Sequence, residues 1–322
     1  MQQILCMLLG ILGLLFSYTV SAATPSQLVV FGDSLSDDGN LSSIASLVAP
    51  QYVGLNNPPY DHGFSNGPRA VEVLAAQLGL PLNPYFPFYY KLSSVPGTNF
   101  AFAGALAYDS RPPATRLPDL GNQVSAFLAT FGAADANALY IVFIGGNDVR
   151  SARDATSRAS AENIIRAGVN AIGSNVRTLL SAGARTIMVV NVSDVGAIPE
   201  TRLLALSKHQ PSLITRTTEL AREFNEELAE NIRGIKQQSN ANYVVEFDQF
   251  GLSRFLTKEY LALGFTDSQD GCFSSVTFTF NAGCNNGLNF GEFLYFDEIH
   301  PTARTNERIG RAFYSAIPEL TH

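Results

Sequence analysis

Residues Leu28–Leu35 read Leu-Val-Val-Phe-Gly-Asp-Ser-Leu, and this segment is the strongest indication of the fold. Its four leading apolar residues, rich in β-branched and aromatic side chains, predict a short strand that is buried on both faces. The glycine, aspartate and serine that follow predict a polar turn at the carboxyl end of this strand. Three further runs of the same kind end next to Gly, Asn or Asp: Leu139–Ile144, Thr186–Val192 and Tyr243–Phe247.

Helical patterns separate these apolar runs. Pro68–Leu78 has a proline at its start and Gly79 just past its end, a combination typical of helix boundaries. Three other amphipathic stretches predict helices: Glu162–Leu180, Thr217–Ile235 and Ala303–Ile317. Strands that alternate with helices imply parallel βαβ units and an α/β fold whose sheet is covered by helices on both faces.

A single domain is expected to follow the first 23 residues. No composition break or internal repeat divides residues 24–322, and two segments rich in turn formers, Pro50–Gly67 and Tyr108–Gly121, are interpreted as long loops. Ligands of open α/β sheets bind beyond the carboxyl ends of the strands. We therefore expect the chemistry of this protein in the segments that directly follow the predicted strands.

The composition excludes some classes of function. Of 322 residues, 46% are hydrophobic and 15% are charged, so the chain has the material for a large core and is not typical of disorder. The formal net charge of -7, without a basic patch, argues against nucleic acid as a partner. This charge would not attract the protein to an anionic membrane, although apolar contact with a lipid surface stays open.

The first 23 residues predict a secretory signal peptide. Ile4–Phe16 is an apolar run, and Val20–Ala22 is a small-residue cleavage site ahead of Ala23. No Lys or Arg precedes the apolar run, so an uncleaved N-terminal anchor is the alternative, although the run is short for a membrane span. Cleavage near Ala22 would make the mature protein secreted or periplasmic.

Three cysteines are present, and Cys6 lies in the predicted signal. The remaining two, Cys272 and Cys284, are an even pair in an exported protein, so we expect them to form a disulfide. The short loop that they close predicts a stabilisation of about 3 kcal/mol. Two free buried thiols are the alternative. A metal site is not expected, because two cysteines without a neighbouring histidine supply too few ligands.

Ser34 and His300 are the candidates for nucleophilic catalysis. A serine hydroxyl needs a base to take its proton, and the base needs a carboxylate on its other ring nitrogen. Asp297 precedes His300 by three residues, a spacing at which its carboxylate can bend back to the imidazole. A helix cap at Ser34 and a surface Asp–His pair are the structural alternatives. The other histidines, in polar, charged or terminal segments, are weaker candidates: His62, His209 and His322.

Two glycine-containing turns offer hydrogen-bond donors for the oxyanion of an acyl-transfer reaction. Asn147 follows the second predicted strand after Gly145 and Gly146, and its amide can point over the strand ends. Gly104, the sixth residue of Asn-Phe-Ala-Phe-Ala-Gly-Ala, can present a bare backbone N–H. A simple Asn–Gly turn and the close packing of two elements remain open as alternatives.

Taken together, these segments resemble the GDSL esterase/lipases, also called SGNH hydrolases. The matching blocks occur in the order of the family over about residues 28–315: Gly32-Asp33-Ser34-Leu35, Gly104 in its Asn-Phe-Ala context, Gly146-Asn147-Asp148 and Asp297-x-x-His300-Pro301-Thr302. Two further segments are similar to the family: Phe64-Ser65-Asn66-Gly67-Pro68 and Asn191–Gly196.

The resemblance implies a flavodoxin-like three-layer α/β/α fold with a mainly parallel sheet, the SGNH hydrolase fold. It implies Ser34 as the nucleophile and His300 as the general base, oriented by Asp297. The backbone amides of Ser34 and Gly104 and the side chain of Asn147 would form the oxyanion hole. No metal and no organic cofactor is implied.

The resemblance indicates carboxylic ester hydrolysis and leaves the substrate open. A lipid ester such as a lysophospholipid or phospholipid is favoured, because exported members of the family often act on such substrates. Transfer of the acyl group to an alcohol such as a sterol would share the same acyl-enzyme. A carbohydrate O-acetyl esterase or a thioesterase is the alternative. A non-catalytic binding protein on the same scaffold is more remote, because Ser34, Asp297 and His300 are all present.

Three segments between the blocks allow two interpretations each. The aromatic cluster Tyr85–Tyr90 and the alternating segment Phe273–Phe280 either line an acyl pocket or touch lipid, or they pack as ordinary core and strand. The segment Cys272–Cys284, shortly before the candidate aspartate and histidine, either covers the site as a flap or only staples the chain.

Overall fold

The computed structural model describes residues 24–48, 50–112, 117–238 and 243–317. Four parallel strands form the central sheet, and they lie side by side in the order in which they occur in the chain. They are β1 (Leu28–Gly32), β2 (Leu139–Phe143), β3 (Thr186–Val190) and β4 (Tyr243–Phe247). Each strand lies within one of the apolar runs or extends it by one residue, so the strand predictions are confirmed.

The segment 98–102 runs along the free side of β1. The backbone N–H of Val30 donates to the carbonyl of Thr98 at 3.0 Å, and the N–H of Phe100 donates to the carbonyl of Val30 at 2.7 Å. If this segment is counted as a fifth, irregular strand, it is second in the chain and lies at the edge beside β1. The spatial order is then 2-1-3-4-5, which is the flavodoxin-like order that the family resemblance implies.

The side chains of β1 alternate between two cores. Val29 and Phe31 point into one core, and Leu28 and Val30 point into the other. All four are fully buried. A strand that is covered on both faces has no polar side, which is why it reads as an unbroken apolar run.

Helices form the two outer layers. Those with their bounds are α1 (Asn40–Val48), α2 (Ala70–Leu78), α3 (Phe86–Tyr89), α4 (Leu120–Phe131), α5 (Gly146–Arg153), α6 (Arg158–Ser181), α7 (Pro199–Ser207), α8 (Ser212–Gln238), α9 (Gln249–Lys258) and α10 (Ala303–Ser315). Apolar residues of α4, α6 and α8 fill the core on one face of the sheet, and those of α2, α9 and α10 fill the core on the other. The three-layer α/β/α prediction is therefore confirmed.

Side-chain caps set the first residues of several helices. Asp119 accepts the N–H of Asn122 at the start of α4, which begins within the predicted loop 108–121. Ser157 caps α6, which begins at Arg158, four residues before its expected start, and Thr302 caps α10 through the N–H of Thr305. Each cap accepts one of the N–H groups that have no partner within the helix.

The aromatic cluster and the alternating segment take different structures. Tyr85 and Phe86 are buried in the core, whereas Tyr89 is exposed on the short helix α3. The alternating segment forms a two-stranded hairpin, β6 (Phe273–Ser274) with β7 (Thr279–Phe280), next to the parallel pair of β5 (Asp267–Gly271) and β8 (Phe293–Tyr295).

A disulfide joins Cys272 to Cys284 around this hairpin, with the two Cα atoms 5.2 Å apart. Both cysteines are fully buried, and they pack against the ring of Phe293.

The predicted signal peptide lies outside the described residues. Within the described ranges, no helix has both the length and the hydropathy that a membrane crossing requires.

Candidate active site

Ser34 lies in the turn that directly follows β1. Its Oγ is 2.8 Å from Nε2 of His300, and its side chain is half-buried. Gly32 ends β1 at a point where a Cβ atom would stand 2.6 Å from the carbonyl oxygen of Phe143 in β2. A glycine is needed there because any side chain would push the two strand ends apart. The serine is thereby kept at the carboxyl edge of the sheet.

The chain after Ser34 makes one hydrogen-bonded turn and enters α1 only at Asn40, so Ser34 is not a helix cap. The carboxylate of Asp37 organises this turn. It accepts the N–H of Asn40 at 2.6 Å and that of Ala103 at 2.8 Å. Since Ala103 precedes Gly104, Asp37 ties the serine turn to the glycine predicted as an oxyanion donor.

His300 and Asp297 are joined by several hydrogen bonds. Nδ1 of His300 lies 2.8 Å from Oδ2 of Asp297 and 2.9 Å from its Oδ1. Oδ1 also accepts the backbone N–H groups of Ile299 and His300, at 2.8 and 2.7 Å. Both side chains are almost completely buried. A buried carboxylate that faces Nδ1 favours the tautomer with the proton on Nδ1, which leaves the lone pair of Nε2 directed at Ser34.

A segment far earlier in the chain supports the histidine. The ring of Phe64 stacks on the imidazole of His300, with the ring centres 4.8 Å apart. Ser65 Oγ donates to the carbonyl of Pro301 at 3.0 Å, and Asn66 Oδ1 accepts the first N–H of α10 at 2.9 Å. Residues 64–66 therefore hold both the ring and the backbone of the candidate base.

Gly104 and Asn147 lie next to each other at the same edge of the sheet. Nδ2 of Asn147 donates to the carbonyl of Ala105 at 3.0 Å, which leaves its second N–H for another acceptor. Gly104 has a φ of +79°, a backbone conformation that favours glycine. Across the described part of the chain, the backbone N–H groups of Ser34 and Gly104 donate to no protein acceptor. Free donors of this kind are what an oxyanion hole requires.

Two buried carboxyl groups accompany these donors. Asp148 accepts the backbone N–H of Ala107 at 2.9 Å, and Asp33 accepts that of Leu35 at 3.0 Å. Burial raises the pKa of Asp148 to about 7 and the pKa of Asp33 to about 6, although these backbone hydrogen bonds oppose the rise. Both groups therefore titrate at much higher pH than an exposed aspartate.

A cavity of about 80 Å³ lies beside Ser34, between the carboxyl end of the sheet and the helices α9 and α10. The end of the cavity at Ser34 is also lined by Asp33, Asn147 and Arg150. Much of the remaining wall is apolar: Phe143, Val195, Ile198, Leu256, Leu294 and Ile309. An apolar cavity that ends at a candidate nucleophile can hold an apolar group next to that side chain.

The disulfide-bonded segment is attached to the loop 296–300. Glu298 accepts the hydroxyl of Ser274 and that of Ser275, each at 2.6 Å. At the tip of the hairpin, Phe278 is 72% exposed to solvent. The segment therefore packs beside the candidate base and presents an apolar side chain to its surroundings.

The structure brings together residues from all four predicted blocks, whereas the weaker histidines lie elsewhere. His62 is exposed and pairs with Asn56, His209 is exposed after α7, and His322 lies outside the described residues.

Sequence reasoning missed the support from Phe64 and a contact of Arg150 with Asn147. The spacing of three residues between Asn147 and Arg150 was the available signal for that contact, because it places both side chains on one helix face.

Residues 28–313 match the family model described as GDSL-like Lipase/Acylhydrolase. The match covers most of the chain, so the protein belongs to this family, and membership supports carboxylic ester hydrolysis as its chemistry.

Among the described residues, no group of three or more His, Cys, Asp and Glu side chains is arranged to hold a metal ion.

Individual relatives differ in how much of the chain they share. Lipase 1 of Photorhabdus luminescens is 34% identical over 209 residues, which are 62% of this chain and 27% of that protein. This chain therefore matches only about a quarter of the length of Lipase 1. Acetylajmalan esterase 2 of Rauvolfia serpentina is 26% identical over 341 aligned residues, which cover 92% of this chain and 93% of that protein. A crystal structure of a lipolytic G-D-S-L family member from Veillonella parvula is 11% identical, with 91% of this chain and 97% of that chain covered and a TM-score of 0.41.

Proposed function

We propose that this protein is a serine hydrolase of carboxylic esters, with Ser34 as its nucleophile and His300 as its general base. The observation that carries the proposal is the hydrogen-bonded series from Ser34 Oγ through His300 to Asp297, with 2.8 Å at both junctions. A hydroxyl, an imidazole and a carboxylate in this order are what activation of a serine requires. The free N–H groups of Ser34, Gly104 and Asn147 support the proposal further.

The first half of the reaction forms an acyl-enzyme. Ser34 Oγ bonds to the carbonyl carbon of the ester while its proton moves to Nε2 of His300. Asp297 stabilises the resulting imidazolium, because its carboxylate already accepts the Nδ1–H. The negative oxygen accepts hydrogen bonds from the backbone of Ser34 and Gly104 and from the Asn147 amide. The C–O bond of the ester then breaks, and the alcohol leaves with the proton from Nε2.

The second half releases the acyl group. A water molecule gives a proton to Nε2 of His300, and its oxygen bonds to the acyl carbon. The bond to Ser34 then breaks, and the serine recovers its proton from the imidazole. An alcohol such as a sterol that replaces this water receives the acyl group by the same steps. These proton transfers use side chains alone, so the proposed mechanism needs no metal and no organic cofactor.

The apolar cavity supports a lipid ester, such as a lysophospholipid or phospholipid, as the substrate. An acetyl group would leave the apolar wall away from Ser34 unfilled, which disfavours a carbohydrate O-acetyl ester. Burial of each methylene contributes about 0.8 kcal/mol. That free energy corresponds to about a fourfold rise in kcat/KM for each added carbon until the cavity is full.

The nucleophile is tested by a pair of matched substitutions. Ser34→Ala removes the proposed nucleophile, whereas Ser36→Ala removes a buried hydroxyl that has no hydrogen-bond partner in the described structure. We expect Ser34→Ala to lose turnover of p-nitrophenyl butyrate while its circular dichroism spectrum is unchanged. Ser36→Ala should keep turnover near that of the wild type. A folded Ser34→Ala variant with wild-type turnover would remove Ser34 from the mechanism.

The substrate class is tested with a panel of esters. It comprises p-nitrophenyl esters of increasing chain length, a lysophospholipid, an acyl thioester and an acetylated xylooligosaccharide, each with and without cholesterol. We expect kcat/KM to rise with acyl length from the acetate upward. A maximum at the acetate, or a preference for the acetylated sugar, would contradict the lipid proposal. Formation of a cholesteryl ester would show that the acyl-enzyme also reacts with an alcohol.

A further inference from the structure

Asn147, the side-chain donor of the proposed oxyanion hole, is held by a second residue on its own helix. Arg150 lies one turn later in α5, and its Nη1 donates to Oδ1 of Asn147 at 2.9 Å. Only the oxygen of the amide can accept this bond, so Nδ2 is turned away from Arg150 and toward the carbonyl of Ala105. A half-turn of the amide would break both hydrogen bonds. Arg150 and the carbonyl of Ala105 therefore favour the same orientation of the Asn147 amide.

Glu200, near the start of α7, holds Arg150 in turn. Its carboxylate accepts Nε of Arg150 at 2.8 Å and also accepts Nη2, which makes a two-point contact between two planar groups. The same carboxylate accepts Nη1 of the buried Arg153 at 2.8 Å. Burial alone would raise the pKa of Glu200, but the hydrogen bonds and charges of both arginines outweigh it and lower the pKa. Glu200 is thus ionised when it binds Arg150.

The backbone of Glu200 contacts the other half of the site. Its N–H donates to the carbonyl of Glu298 at 2.7 Å, in the loop between Asp297 and His300. One residue therefore holds the loop of the proposed base through its backbone and reaches the oxyanion donor through its side chain and Arg150. The two halves of the site are connected by Glu200.

The charges of this cluster balance within the protein. Arg150 and Arg153 face the carboxylates of Glu200 and Asp154, and the Arg153–Asp154 contact measures 2.8 Å. Arg150 is therefore already paired with a carboxylate and is not a free cation for an anionic head group. Besides its ion pair with Glu200, Arg150 donates a hydrogen bond to the side chain of Asn147 at the cavity.

We propose that Arg150 and Glu200 are positioning residues of the oxyanion hole, in which Glu200 holds Arg150 and Arg150 turns Nδ2 of Asn147 toward the reacting oxygen. The inference rests on the proposed function, because that function gives Asn147 its role. Neither residue touches the reacting atoms, and the oxyanion exists only in the transition state and the intermediate. Their loss therefore lowers kcat and leaves KM nearly unchanged.

A double-mutant cycle on Arg150 and Asn147 tests the proposal. Asn147→Ala removes the donor and is expected to lower kcat by about 10²–10³-fold. Arg150→Met keeps the donor but frees its orientation, and a misplacement of 1 Å can cost about 10²-fold in rate. Because Arg150 acts through Asn147, the double variant should be no slower than Asn147→Ala alone. All four proteins are assayed for kcat and KM with p-nitrophenyl butyrate.

The control is an arginine of the same kind away from the site. Arg158, more than half exposed, pairs with Glu162 and Glu223 on the surface. Arg158→Met should leave kcat and KM at the wild-type values.

Arg150→Lys keeps the charge but cannot bind Glu200 and Asn147 at once with a planar fork, so we expect it to lose part of the kcat as well. Wild-type kcat in that variant would show that charge alone suffices and would overturn the positioning role.

A second cycle covers the case in which Arg150→Met does not fold. Glu200→Gln retains an acceptor oxygen for Arg150 but loses the charge, so it should lower kcat in the wild-type background and have no effect in Asn147→Ala. An equal effect of either substitution in both backgrounds would overturn the proposal, and so would a higher KM with unchanged kcat. Wild-type kcat in Asn147→Ala would instead remove the third oxyanion donor. Turnover by Ser34→Ala would remove the proposed function itself.

Discussion

Replacement of Asp297 by asparagine should reverse the hydrogen-bonding direction at His300 while it preserves the shape of the site. Oδ1 of Asp297 accepts the two backbone N–H groups of Ile299 and His300. In Asp297→Asn the amide oxygen keeps these two bonds, because an NH₂ group there would face two donors. The NH₂ group then takes the position of Oδ2, which lies 2.8 Å from Nδ1 of His300.

That arrangement places a donor against Nδ1 and moves the ring proton to Nε2. An Nε2–H faces the hydroxyl of Ser34 and has no lone pair to take its proton. In a Ser-His-Asp triad, the corresponding change lowers kcat by about 10⁴-fold. At about 1.36 kcal/mol for each factor of ten, the loss equals about 5.4 kcal/mol of transition-state stabilisation.

The assay compares kcat and KM of Asp297→Asn with those of the wild type on p-nitrophenyl butyrate, with thermal unfolding as the check on folding. The matched control is Glu298→Gln, a change of the same kind in the next residue. The carboxylate of Glu298 faces Ser274 and Ser275 instead of the imidazole, so kcat should stay near the wild-type value. A folded Asp297→Asn enzyme with kcat within tenfold of the wild type would refute the assigned tautomer and the role of Asp297.

Two further predictions concern stability. Burial raises the pKa of Asp148 to about 7, so this group binds a proton more tightly in the folded than in the unfolded chain. The stability that this proton contributes is therefore lost as the pH rises from about 4 to about 7. The difference in unfolding free energy between the wild type and Asp148→Asn, measured in urea across this range, should therefore fall with pH, and a constant difference would contradict the raised pKa. Cys272→Ser combined with Cys284→Ser opens a loop with a sequence separation of 12, which should lower the unfolding free energy by about 3 kcal/mol. Equal urea midpoints for the two proteins would contradict that estimate.

Three strands of the central sheet, β1, β2 and β3, were predictable because they are covered on both faces. Burial on both sides demands unbroken apolar runs, and such runs can be read without knowledge of their partners. The helices were predicted less completely. Short helices such as α5 and α7 are marginal on their own, and packing against the sheet and neighbouring helices stabilises them. The segment 98–102, which lies beside β1, follows Gly97 and makes few ladder contacts, so no periodic pattern marks it.

The order of the chemical groups along the chain is visible before folding: a serine after the first strand, an aspartate and a histidine three residues apart, and glycines where the backbone must turn. These are local properties, since a turn, a cap or a short apolar run depends on neighbours in the chain. Folding brings Ser34 and His300, which are separated by 266 positions, to a distance of 2.8 Å. It also forms the apolar cavity and joins Glu200 to Arg150 across 50 positions. Contacts over such separations arise from the packing of whole layers, and no local pattern encodes them.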